Sequence, residues 1–265
     1  MAWVRWLPRM RPKIRTRSDI AGTLKRVLLD RIGLVSGSRV QNISARRSKE
    51  LCKVQLDWYR ARLERRLDDI AIHFSNFLGG LAASALTKEK IYELEGILSD
   101  VWQVWGRFCR EVTMLSCTGC ISQQGAVVPA HYPHRDNVSF VAWKQKGGVP
   151  PAAVGVNAIL RKEPTWGHID KLLEVIDALG PANAAKLKSA FGIVPKIEHV
   201  RLIRNAAAHR NNQTQQEVLS FQSQYNSFPI RHPLQALLWQ DPGNNQILLI
   251  SRMDDMRVAA RNAVI

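Results

Sequence analysis

Between about Ala45 and Leu78, the apolar residues Leu51, Val54, Trp58, Leu63, Leu67, Ile70, Phe74 and Phe77 recur close to the 3.6-residue period, which predicts a long helix. Lys49, Arg60, Arg62, Arg65 and Arg66 fall on or beside its polar face. A second run, Ile91, Leu94, Leu98, Val101, Trp105, Phe108, Val112 and Leu115, steps alternately by three and four, the seam of a helix packed along its length. Leu78-Gly79-Gly80 breaks the first helix and Thr87 is placed to cap the second, so the pair reads as a helical hairpin. Trp58, Trp102 and Trp105 are expected in its core.

Helical periodicity disappears from Cys117 to Trp166, where Pro129, Pro133, Pro150, Pro151 and Pro164 predict a loop-rich insertion, with Val138 to Trp143 as a short strand. It returns over Gly167 to Leu179, and Gly180-Pro181 ends it. Further helices are expected over Ala182 to Phe191, Pro195 to Arg210 and Gln213 to Tyr225. Asp241 to Asn245 reads as a turn, Gln246 to Ser251 as a strand and Asp254 to Ala263 as a last helix. The expected class is mainly α, with a minor β element near the C-terminus. The expected organisation is a basic arm over 1–18, the hairpin region over 19–116, the insertion over 117–166 and a further helical region over 167–265. Residues 19–265 are expected to form one domain.

Composition narrows the possibilities. Of 265 residues, 46% are hydrophobic, enough for a core and too many for general disorder, while 4 Cys are too few for a disulfide-stapled scaffold. No apolar run approaches the roughly 18 to 20 residues of a membrane span, so a soluble, cytoplasmic protein without membrane attachment is expected. The net charge of +16 favours a polyanionic partner. Eighteen Lys/Arg stand against five Asp/Glu between Met1 and Arg66, and the rest of the chain is nearly balanced. Arg5, Arg9, Arg11, Lys13, Arg15 and Arg17 precede the first acid, Asp19, and interrupt any secretory apolar core. Pro8 and Pro12 work against the amphipathic helix of a transit peptide. The arm is read as one that touches phosphates, with Trp3 and Trp6 available to stack on bases; a solvated tail is the alternative.

The segment richest in chemistry is Glu198-His-Val-Arg-Leu-Ile-Arg-Asn-Ala-Ala-Ala-His-Arg-Asn-Asn-Gln-Thr214. On a helix Arg201, Asn205 and His209 share one face with Arg204 beside them, while Ala206, Ala207 and Ala208 leave room for close approach. These side chains suit RNA cleavage, because RNA carries its own nucleophile, the 2′-OH. His209 can move the protons, since an ordinary imidazole titrates near 6.5, and Arg204 can hold the scissile phosphate and the charge that develops on it. Asn205 can orient the imidazole or bind a phosphate oxygen, Arg201 and Arg210 can bind RNA, and no cofactor is required. Arg204 and His209 point about 140° apart on an ideal helix, so pairing with a second copy would be needed to gather two such sets in one cleft. The alternative is a surface helix with its cations solvated at the C-terminal end.

Arg204-Asn-Ala-Ala-Ala-His209 resembles the R-x4-6-H motif of the HEPN domains, including a polar residue directly after the Arg. The layout, with long helices ahead of the motif, is similar to that of bacterial RiboL-PSP-type HEPN proteins. The resemblance implies an all-α bundle, commonly a homodimer paired through the motif helix. It further implies a metal-independent endoribonuclease of toxin-antitoxin or anti-phage systems, with Arg204 and His209 catalytic, Asn205 supporting them, and an antitoxin or defence-system protein as a possible partner. The other expectation is a non-catalytic HEPN module that binds RNA or protein as an adaptor.

Cys117, Cys120, His131 and His134 have the C-x2-C-x10-H-x2-H spacing of a zinc site, though reduced, partly buried thiols are the simpler expectation. His199 would join the candidate site only if a neighbouring helix turned it inward. There is no phosphate-cradling Gly-rich loop, no Gly-x-Ser-x-Gly elbow and no carboxylate cluster of the two-metal kind.

Overall fold

A computed structural model of the chain describes residues 54–81, 86–145, 147 and 163–265, all within a unit spanning Ser48–Ile265. The basic arm therefore lies outside the described residues, as do 45–53 of the first expected helix. Helix α1 (Leu56–Gly79) buries Leu56, Leu63, Leu67, Ile70, Phe74 and Phe77 against α2 (Lys88–Thr118), which buries Leu94, Leu98, Val101, Trp105, Phe108, Val112 and Leu115. The hairpin is thus as the periodicity predicts. Thr87 caps α2 by accepting from the Lys90 amide at 3.3 Å, and Lys90 Nζ stands 5.1 Å from the Phe77 ring, which places the start of α2 beside the end of α1.

Two expectations of strand fail, both where an apolar run is too short to reveal its period. Val138 to Trp143 lies inside α3 (Arg135–Gln145), which buries Val138, Ser139, Ala142 and Trp143 at helical spacing. Gln246 to Ser251 is not a strand near the C-terminus. From Leu248 it is the first part of α8 (Leu248–Ala263), continuous with the expected last helix, because Leu249, Met253, Met256, Ala260 and Ala263 step by four and three through the turn. The β structure is instead a two-stranded antiparallel hairpin, Cys120–Ile121 with Val127–Val128, in a part of the loop-rich segment where no strand was expected.

The remaining helices follow the predicted order. They are α4 (Ile169–Leu179), α5 (Ala184–Gly192), a 3-10 turn at Pro195–Ile197 leading into α6 (Glu198–His209), α7 (Asn212–Ser220), two further 3-10 turns, and α8. Gly180 takes the left-handed conformation, φ 57°, that ends α4. The helix expected over Gln213 to Tyr225 stops at Ser220 and tightens into the 3-10 turn Gln222–Gln224.

Two buried junctions fix α4 against the hairpin. At Gly167, an added Cβ would lie 3.0 Å from the Trp102 ring and 3.2 Å from Trp105, so any larger residue would press on both rings, and Trp105 Nε1 donates to the Gly167 carbonyl at 3.2 Å. Four donors converge on Glu163: Arg110 through both Nε (2.6 Å) and Nη2 (2.9 Å), Trp166 Nε1 at 2.8 Å, and the Ser139 hydroxyl. Burial pushes the Glu163 carboxyl upward, but these donors outweigh it and hold it below the usual range. Among the described residues no helix is long and apolar enough to cross a membrane.

Candidate functional site

Helix α6 divides cleanly by exposure. Val200, Ile203, Ala206 and Ala207 are buried, and they dock the helix against α2 and the 3-10 turn Pro233–Leu238. At about 100° per residue, the opposite face runs from Arg204 through Ala208, Arg201 and Asn205 to His209. Arg204, Ala208 and His209 are exposed, while Arg201 and Asn205 are half-buried. Arg204 and His209 therefore form the two edges of one solvent-facing strip, about 140° apart, with the small Ala208 side chain between them. Neither side chain makes a hydrogen bond or ion pair among the described residues, and neither does that of Asn205.

Other members of the predicted set are committed elsewhere. Arg201 is ion-paired with Glu198 one turn earlier, and Glu198 is also 3.6 Å from His168 Nε2, so the Arg201 guanidinium is tied to the start of its own helix. Arg210 is exposed just past the helix, its amide closing on the Ala206 carbonyl at 3.1 Å. Burial, and then the charge of Arg210, lower the pKa of His232. The exit from α6 is short, because Asn211 Oδ1 accepts the Thr214 amide at 2.9 Å in a capping box that starts α7 at Asn212. Arg5, Arg9, Arg11, Lys13, Arg15 and Arg17 lie outside the described residues.

His199 turns inward, away from the strip. Its ring stacks on Phe221 with centroids 4.0 Å apart and planes 4° apart, and Nδ1 lies 2.7 Å from the Tyr225 hydroxyl. Burial, with the positive charges of Arg252 and Lys196 added, pushes it down to about 4, and burial pushes the Tyr225 phenol up to about 12. The phenol therefore keeps its proton and the imidazole is neutral, and the tautomer of His199 sets which of the two donates. This is an aromatic core, with Trp239 edge-on to Phe221, and it contributes packing rather than proton transfer.

The zinc spacing is not realised in space. Cys117, in the last turn of α2, and Cys120, on the first strand, are buried, whereas His131 and His134 are exposed. No group of three or more His, Cys, Asp or Glu among the described residues is placed to hold a metal ion. The chain contact between these segments is through backbone, with the His131 and Tyr132 amides donating to the Cys117 carbonyl at 2.8 and 2.9 Å. Burial, then the neighbouring Cys120, push the Cys117 thiol up to about 12, as befits a core thiol. Trp102 and Trp105 are buried as expected, but Trp58 is 51% exposed, because helical spacing turns it about 140° away from the centre of the buried seam of α1.

No family model, curated protein or solved structure matches this chain.

Proposed function

We propose that the chain is a metal-independent endoribonuclease of the HEPN kind, acting as a toxin or anti-phage effector, with the outer strip of α6 as its cutting surface. The observation that carries the proposal is that Arg204 and His209 edge one exposed strip, with no partner among the described residues, on a helix whose other face is fully packed. Side chains kept for structure are usually paired or buried; these two are held out, in a fixed relation, by a rigid helix.

In the proposed reaction His209 takes the proton of the 2′-OH, whose oxygen attacks the adjacent phosphorus while the P–O5′ bond breaks. The products are a 2′,3′-cyclic phosphate and a 5′-hydroxyl, the leaving oxygen receiving a proton from an imidazolium or water. Arg204 holds the non-bridging oxygens as charge builds on them. Since the two side chains diverge on one helix, a second copy docked along the Ala208 strip supplies the complementary Arg204 and His209. The positive charge concentrated before Arg66 is the element that attracts RNA.

The test is incubation of the protein with RNA in excess EDTA beside Arg204→Ala and His209→Ala. Each single substitution is expected to lower the rate by at least about 100-fold, the scale of lost acid-base catalysis or transition-state charge stabilisation. Intact RNA with all three proteins, despite salt-sensitive binding, is the result expected of the adaptor alternative and contradicts the proposal.

A further inference from the structure

The outer face of the hairpin carries chemistry that packing does not explain. Trp58 is half-exposed on α1, with Tyr59 edge-on at 4.8 Å and the Arg62 guanidinium 5.4 Å from its ring centroid. These three line a cavity of about 570 Å³ between α1 and α2, whose α2 wall includes Gln103 and Arg107. A second cavity, of about 470 Å³, starts from the same Gln103 and Arg107 and passes over Gly106 to Gly167. Together they form a track along α2, each part within the roughly 300 to 1,000 Å³ of small-ligand pockets.

The charges along the track do not cancel. Arg60 is spent on Asp57 and Glu64, and Arg110 on Glu163 and Glu111, while Glu111 also holds Arg135. Arg62 and Arg107 have no carboxylate within ion-pair distance among the described residues, and Arg66 reaches only Asp69, at 3.8 Å between two exposed side chains. Against these three guanidiniums, the lining acids are Glu111, already neutralised, and Asp100. A surplus of fork-shaped cations beside an exposed indole is suited to a ligand that alternates phosphates with flat aromatic rings.

We infer that this track binds single-stranded RNA, with Trp58 and Arg62 stacking on a base and Arg107 and Arg66 on flanking phosphates. A duplex is unsuited, because its bases are already stacked on one another and unavailable to an indole. The track also leads toward α6: Gly167 at its far end is followed by His168, whose Nε2 stands 3.6 Å from Glu198, the first residue of the motif helix. The inference rests on the ribonuclease reading only for its substrate, and it adds that the substrate is unpaired.

A short labelled 2′-O-methyl RNA of mixed sequence is the probe, since it lacks the 2′-OH nucleophile and reports binding without cleavage. The full chain is expected to bind it, and Trp58→Ala to weaken binding roughly ten-fold, within the range for loss of one stacking platform. Trp58→Phe should retain most of the affinity. Arg107→Gln should weaken binding and reduce the slope of log K against log salt by about 0.7, one phosphate contact on a single strand. Annealing the probe to its complement should remove the dependence on Trp58. Unchanged binding in Trp58→Ala and Arg107→Gln, equal Trp58-dependent binding of the duplex, or no binding by the wild-type chain overturns the inference. Trp58-dependent binding by a chain that cleaves no RNA would keep the track and defeat only the ribonuclease reading.

Discussion

At the residue scale, two histidines ten positions apart on α6 have opposite fates. His209 projects from the exposed strip, whereas His199 is stacked on Phe221 with Tyr225 edge-on. With its folded pKa depressed to about 4, His199 favours folding while neutral. Its contribution is fully present above about 6.5, the unfolded value, and is lost as pH falls from there toward about 4, on the order of 3 kcal/mol at full extent. Thermal unfolding followed from pH 7 to pH 4 should show a fall in Tm that is smaller in His199→Gln; an equal fall in both proteins would remove His199 as its source. The strip itself was legible, since Arg204, Asn205 and His209 follow from helical spacing alone. The capture of Arg201 by Glu198 was not, because a pair three residues apart is one of several rotamer outcomes. Trp58 was misplaced because its apolar type was weighed above its spacing, which turns it about 140° away from the seam through Leu63, Leu67, Ile70 and Phe74.

At the scale of elements, long periodic helices were legible and short apolar runs were not. Helices α1 and α2 repeat their pattern over many turns, but Val138–Trp143 and Gln246–Ser251 are each too short to separate a period of 3.6 from one of 2. What decides α3 is a tertiary contact remote in sequence: Ser139 and Arg110 meet on Glu163, joining α3, α2 and the approach to α4. Glu163→Ala leaves the Arg110 guanidinium with only Glu111 and strands two buried donors. It is expected to cost about 3 kcal/mol in chemical denaturation, the lower end for breaking a buried pair. A cost within about 0.5 kcal/mol, typical of a surface site, would show that the junction is not needed. No comparable signal announced this junction, since neither Glu163 nor Ser139 belongs to a recognisable spacing.

At the scale of the whole molecule, the proposed function divides the work between a basic region and a motif helix. The net +16 comes mainly from residues 1–66, of which Arg62 and Arg66 are among the described residues and stand with Arg107 on the outer hairpin. The strip proposed to cut lies on another helix, whose Arg204 and His209 diverge, so the proposal needs a second copy to complete the centre. If each centre takes its Arg204 from one copy and its His209 from the other, mixing the inactive Arg204→Ala and His209→Ala proteins should restore cleavage. The mixed pair then retains one intact centre, and failure to regain activity in mixtures shown to exchange subunits would place both residues in one copy. The most direct measurement is of the ends left on RNA cut by the wild-type chain in EDTA. A 2′,3′-cyclic phosphate and a 5′-hydroxyl, absent with His209→Ala, are predicted; a 3′-hydroxyl with a 5′-phosphate, or the same ends from His209→Ala, would contradict attack by the 2′-OH at the α6 strip.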